Sequence, residues 1–230
     1  MNIEKHEFKE MISISKVFLP GCKVKAKFKY QSDKLQAYLE QKEGVRTVGC
    51  CKVFCSQVAP TDIAVVICNN CAAIMEESSV VSQIEFVWNI IDNDPEFPFP
   101  DYHGERIIVQ DCWRAYEKRY VQDAVRSLMR KMNIVPVELP NNYEKADFCG
   151  ADLLEPCTDI EKKFAPKRYA VNGANMYKPI PKEEEDDWLR NYCSQITEGK
   201  VVCYCMACLD GINRGGKTGK HLLELLFPEN

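Results

Sequence analysis

The chain has 230 residues, 46% of them hydrophobic, and a formal net charge of −4. That is enough for one sizeable domain or two small ones. The charge offers no basic patch for nucleic acid, and no apolar run approaches the roughly 18 residues that span a membrane.

The start, Met1 to Glu10, mixes acids and bases with no apolar h-region, so no secretory signal is read and a soluble cytoplasmic protein is expected. Lys16-Val17-Phe18-Leu19 reads as a strand ending at Pro20-Gly21-Cys22. The locally basic stretch Lys23 to Lys29 reads as an edge strand with solvated lysines rather than a phosphate site. Ser32 or Asp33 is expected to cap a helix that runs to about Lys42 and closes at Gly44. Val45 to Val48 is a short strand delivering Gly49-Cys50-Cys51; Asp62 to Ile67 is a third strand, followed by Cys68-Asn69-Asn70-Cys71 and a helix from Ala72 to Glu77. Val80 to Ile91 reads as a further helix. The prolines of Asp94 to Pro100 forbid regular structure, and the boundary between a first unit, 1–98, and a second, 99–230, is expected there.

The second unit repeats the plan. Arg106 to Val109 is a strand ending at Asp111-Cys112. Trp113 to Met132 carries apolar residues at four-residue spacing, Tyr116, Tyr120, Ala124, Leu128 and Met132, and reads as one long amphipathic helix. Ile134 to Leu139 is a strand, near an edge because of Pro136. Phe148-Cys149-Gly150 follows, then a polar insert at about 151–197 whose acidic run, Glu183 to Asp187, reads as a solvated helix start. Lys200 to Tyr204 is the next strand, ahead of Cys205-Met206-Ala207-Cys208, and a helix from Gly219 to Phe227 ends the chain. Strand–helix alternation implies an α/β fold of small parallel sheets flanked by helices. Such sheets place their sites beyond the carboxyl ends of the strands, where Cys22, Cys68, Cys112 and Cys205 fall.

Thirteen cysteines without an export signal point away from structural disulfides and toward metal ligation, catalysis or burial. Cys193 reads as structural and Cys203 as a core residue; Cys55 and Cys157 lie near ligand stations and stay unassigned. The rest form two ordered sets, Cys22, Cys50, Cys51, Cys68 and Cys71, then Cys112, Cys149, Cys205 and Cys208. Thiolates gathered on loops at strand ends suit a soft metal centre, an iron–sulfur cluster or zinc. A dithiol oxidoreductase using one Cys-x-x-Cys without metal is a further reading. His221, on the last helix, reads as structural. Lys217 and Lys220 could offset thiolate charge, and Trp113 and Tyr204 flank ligands where they could shield a cluster. The Gly215-Gly216-Lys217-Thr218 string lacks the glycine spacing of a phosphate loop.

Pro20-Gly21-Cys22, Gly49-Cys50-Cys51 and Cys68-x-x-Cys71, with Asp111-Cys112, Phe148-Cys149-Gly150 and Cys205-x-x-Cys208, resemble the cysteine-rich (CCG) domain repeat of the disulfide-cleaving heterodisulfide reductases. The same repeat occurs in the iron–sulfur subunits of glycolate, lactate and glycerol-3-phosphate oxidases. The similarity covers nearly all the chain after residue 16, including Lys220 to Leu226 as the closing helix. The resemblance implies two pseudo-symmetric Rossmann-like halves. It implies an iron–sulfur oxidoreductase or electron-transfer protein that works beside a redox partner protein or subunit and cleaves a small thiol or disulfide substrate. It also implies a noncubane 4Fe-4S cluster held by five cysteines per repeat. The chain departs from the family in three ways: Lys52 replaces the glycine after the doublet, the spacings Cys51 to Cys68 and Cys149 to Cys205 are short and long, and Phe148 replaces the second doublet's first cysteine. The second half thus matches four ligands. It is expected to hold a cubane 4Fe-4S cluster, to recruit Cys157, or to hold zinc. The rival from another class is a zinc-thiolate structural or binding module without redox chemistry.

Overall fold

The computed structural model describes residues 15–78, 81, 83–197 and 199–229. The apolar runs become two four-stranded sheets, each wholly parallel. The first contains β1 (Lys16–Leu19), β2 (Arg46–Thr47), β3 (Ile63–Val66) and β4 (Gln83–Phe86) in the order β2-β1-β3-β4. The second contains β5 (Glu105–Gln110), β6 (Ile134–Glu138), β7 (Lys200–Cys203) and β8 (Thr218–His221) in the order β6-β5-β7-β8, which repeats the first connection for connection. The helices are α1 (Cys22–Lys27), α2 (Lys29–Glu43), α3 (Cys51–Phe54), α4 (Asn69–Ser78), α5 (Val87–Asn93), α6 (Arg119–Lys131), α7 (Asp159–Phe164), α8 (Glu185–Cys193), α9 (Met206–Arg214) and α10 (Leu222–Leu226). The fold is α/β with two Rossmann-like halves. Among the described residues no helix is long and apolar enough to cross a membrane.

Central strands are apolar on both faces because helices cover both: Val17, Phe18 and Leu19 of β1 and Ala64, Val65 and Val66 of β3 are all buried. Pro136 sits on β6, an edge strand, where a missing amide donor is tolerated.

Several elements differ from the sequence reading. The segment read as a helix over Val80 to Ile91 is strand β4 running straight into α5, with Val80 and Ser82 outside the described residues. Likewise Gly219 to Phe227 is strand β8 running into α10. Both strands are short, lie at a sheet edge and share one burial pattern, exposed at the start and buried at the last residue. With no turn residues between strand and helix, the apolar spacing blurs into a single helical signal. The lysine-rich stretch read as an edge strand is instead helix α1: Gly21, at φ 66°, turns the chain out of β1, and only Val24 of α1 is buried. Helix α2 begins at Lys29, ahead of Ser32 and Asp33, and ends at Gly44 in the left-handed conformation as expected. The long helix read from Trp113 is a 3-10 turn over Trp113–Ala115 and then α6, and Tyr120 of the expected apolar stripe is half exposed, at 50%.

A buried ionic network ties the second sheet to its helix. Asp111 accepts from Arg126 at 2.7 and 2.8 Å, from the Tyr204 hydroxyl at 2.8 Å and from the Tyr143 amide at 2.8 Å. Arg126 reaches on to Glu138 at 3.0 and 2.7 Å, and Asn142 bridges Glu138 to the backbone of β5. Removing one partner leaves an uncompensated charge in the core. Arg126→Met is expected to cost about 3–5 kcal/mol, read by chemical denaturation.

The two halves meet at His221, whose ring stacks on Phe28 at 5.5 Å and lies 6.0 Å from Trp88. Its Nδ1 accepts the Leu223 amide at 3.3 Å, and the Glu224 carboxylate accepts the His221 amide at 2.8 Å, forming a capping box for α10. Burial lowers the imidazole pKa from 6.5 to about 4. Between those values the unfolded chain takes up a proton that the folded chain refuses, so this contribution is complete above about pH 6.5 and is lost as pH falls toward 4. It amounts to about 3 kcal/mol. His221→Asn keeps a cap acceptor without the titration, and its stability is expected to vary less than the parent's over that window in denaturant titrations at stepped pH.

Candidate metal centre

Register explains why the second set of cysteines converges. Gln110 of β5 pairs with Cys203 of β7, and Cys112 and Cys205 each lie two residues beyond that pair. Both thiols therefore leave the sheet at the same level. Cys208 follows in the first turn of α9. Cys149 arrives on a loop that turns through Gly150, at φ 59°. A Cβ on Gly150 would lie 2.1 Å from the Ala207 carbonyl oxygen, so only glycine lets this loop press against α9.

The result is a tetrad, Cys112, Cys149, Cys205 and Cys208, whose Sγ atoms all lie within 4.8 Å of one another and all of which are buried. Cys149 Sγ is 3.6 Å from Cys112 Sγ and 3.8 Å from Cys205 Sγ. The Cys208 thiol donates to the Phe148 carbonyl at 3.6 Å. Hydrogen bonds from Cys112, Cys149 and Cys208 draw Cys205 well below the usual thiol pKa, while burial pushes Cys149 and Cys208 well above it. Such a group can bind a metal ion. Arg114, buried two residues beyond Cys112, donates from Nη1 to Cys149 Sγ at 2.7 Å and pairs with Asp152 at 3.3 Å and Glu161 at 3.8 Å. Its guanidinium stands over the rings of Trp113 and Tyr169, 5.7 and 5.5 Å from their centroids.

The first set is arranged differently. Leu19 pairs with Val66, so Cys22 and Cys68 emerge from neighbouring strand ends. Cys50 and Cys51 follow β2 at the start of α3, and Cys71 lies in α4. Their thiols run as a string: Cys22 beside Cys50, Cys50 beside Cys51, Cys51 beside Cys71, and Cys71 beside Cys68. Hydrogen bonding from Cys71 lowers Cys51 to about 7 and also lowers Cys68, and Cys71 itself is raised by donating to both. Burial raises Cys22. All five line one cavity of about 160 Å³, whose opposite wall carries Cys205, Arg114, Asp152 and Glu161 from the second half.

All nine expected residues therefore gather at facing ends of the two sheets, and Cys205 belongs to both the tetrad and the cavity wall. Cys193 and Cys203 are buried away from the cavity, and Cys55 is half-buried. Cys157 Sγ lies 4.0 Å from Glu161 and beside Tyr177, outside the tetrad. Phe148 is fully buried and stacks on Tyr192 at 4.0 Å. Of the two lysines considered for charge compensation, neither lines the cavity, and Lys220 pairs with Glu224. Arg114 is the buried cation at the tetrad, with Lys23 and Lys52 lining the cavity on the first half's side, and sequence reasoning missed it. Its one signal is its place two residues past a strand-end cysteine. Asp152 and Glu161 carry no local signal, since they reach the cavity from the polar insert. Trp113 and Tyr204 are both buried; Trp113 carries Arg114 on its face, and Tyr204 reaches away to Asp111.

No protein-family model and no curated protein matches the chain. Among solved structures, a glutamate racemase isoform from Bacillus anthracis aligns at TM-score 0.31 and 10% identity over 94% of this chain and 79% of that one. Picrophilus torridus aspartate racemase aligns at TM-score 0.29 and 13% identity over 93% and 90%. Both are too distant to carry an argument about fold or function.

Gly150→Ala is expected to push the Cys149 loop off α9, lowering stability by about 1–3 kcal/mol and weakening metal binding at the tetrad. Thermal melts and zinc competition against a chromophoric chelator check both effects.

Proposed function

We propose that this protein is an iron–sulfur oxidoreductase or electron-transfer protein of the heterodisulfide reductase type, working at its first cysteine set. The observation that carries the reading is five thiols strung around an open cavity, against four in a closed tetrad. The donor set fits: all ligands are soft thiols, two of them with lowered pKa, and they spread across the cavity instead of closing on a point. Cys22, Cys50, Cys51, Cys68 and Cys71 would hold the group, which when bound supplies one-electron chemistry.

The chain's own residues give the cavity its other properties. Cys22 is exposed, so the thiol set is reached from solvent on one side. The opposite wall is charged, with Arg114 fixed between Asp152 and Glu161, and Lys23 of the first half 3.8 Å from Asp152 across the cavity. The cavity is small, about 160 Å³, so with the group in place only a small thiol or disulfide would reach it, from the Cys22 side. Reducing a disulfide consumes two electrons and two protons, and this reading requires a partner protein as electron donor.

Anaerobic reconstitution with iron and sulfide, followed by iron and acid-labile sulfide analysis and low-temperature EPR, tests the reading. A brown protein with visible absorption is expected, and Cys51→Ser and Cys71→Ser should each lose most of that absorption. A colourless protein that binds zinc in both halves and no iron would establish the zinc-module reading instead.

A further inference from the structure

We infer that the second half holds a single tetrahedral ion of the zinc kind rather than a cluster, and that this ion site is built into the wall of the cavity. Four thiolates around one ion at metal–sulfur bonds of about 2.3 Å stand about 3.8 Å apart. The tetrad shows contacts of 3.6 and 3.8 Å and no Sγ pair beyond 4.8 Å. The thiolates at the corners of a 4Fe-4S cubane are held roughly 6 Å apart by the cluster between them. The tetrad therefore fits an ion and does not fit a cubane.

Nor can it readily open to admit one. Cys112 follows Asp111, which Arg126 grips with two hydrogen bonds of 2.7 and 2.8 Å. Tyr204, adjacent to Cys205, is bonded to the same carboxylate at 2.8 Å. The Cys149 loop is interlocked with α9, where a Cβ on Gly150 would lie 3.2 Å from the Gly211 Cα and one on Gly211 2.5 Å from the Gly150 Cα. A fifth thiol is also excluded. Phe148 occupies the doublet position and is stacked against Tyr192 of α8, and the Cys157 sulfur lies with Glu161 and Tyr177. Four buried sulfurs with no open position describe a structural zinc site.

The surroundings of the tetrad agree. Zinc with four thiolates carries two net negative charges, and Arg114 supplies a buried cation with an N–H on Cys149 Sγ at 2.7 Å. Among the described residues no group in the first half closes to the same mutual separation. Two halves of identical topology thus divide the work: the second is sealed by its ion, and the first opens to the cavity. Cys205, an ion ligand on the cavity wall, joins them. The ion assignment stands on its own geometry and draws on the redox reading only for the first half.

Metal analysis of the intact chain purified anaerobically and reconstituted tests this. One zinc per chain is expected, with four sulfurs at about 2.3 Å by X-ray absorption. Cobalt loaded in its place should show tetrahedral tetrathiolate bands. Cys51→Ser, which leaves the tetrad untouched, should keep the zinc and the cobalt spectrum. Arg114→Met should release zinc to a chelator about 10–100-fold faster, with Arg114→Lys partly restoring retention. Iron and sulfide bound at the tetrad of Cys51→Ser, or a tetrad that binds no zinc in a protein folded by circular dichroism, would overturn the inference. Zinc at the tetrad with no iron anywhere would uphold it while ending the redox reading.

Discussion

Parallel register is the constraint on which the rest depends. In each half the first and third strands end level with each other, so the loops that follow must leave the sheet side by side. In the second half this brings Cys112 and Cys205 together by the backbone alone, while in the first Cys22 and Cys68 leave neighbouring strand ends and stand at the two ends of the string. Buried ionic and aromatic contacts hold those ends still. Asp111 does this at the second sheet, where it is bonded to Arg126 and Tyr204. The energetic logic is that of a preorganised site. The chain orders its ligands through folding, so metal binding need not meet the full entropy of gathering them.

Much of this was legible in the sequence because the signals were local. Apolar runs such as Ile63 to Val66 and Val201 to Cys203 mark buried strands, and a cysteine just past a strand end needs no long-range knowledge to place. The two edge strands escaped because Phe86 and His221 hand the chain directly to a helix, with no glycine or proline between to punctuate the change. The lysines of α1 alternate as strand residues do, and only the left-handed turn at Gly21 redirects them into a helix.

The site divides the same way. Ligand identities could be read from spacing, whereas their company could not. Arg114, Asp152 and Glu161 meet at the thiols from a 3-10 turn and two parts of the insert, a convergence with no periodicity to betray it. The difference between an open string and a closed tetrad was equally hidden. It is set by Gly150 against Ala207 and by the burial of Phe148, both of them tertiary facts. Nine cysteines at similar sequence positions therefore describe two pockets of different shape.

That difference decides which sulfurs an outside reagent can touch. The thiol string opens to solvent at Cys22, while the tetrad is buried beside Arg114 and its aromatic bed. A reagent in the medium meets Cys22 at the surface, and Cys205 is the tetrad sulfur that shares the cavity behind it. The other three tetrad sulfurs, Cys112, Cys149 and Cys208, stand off that wall and are fully buried, so the sulfurs of one molecule differ sharply in what they can meet.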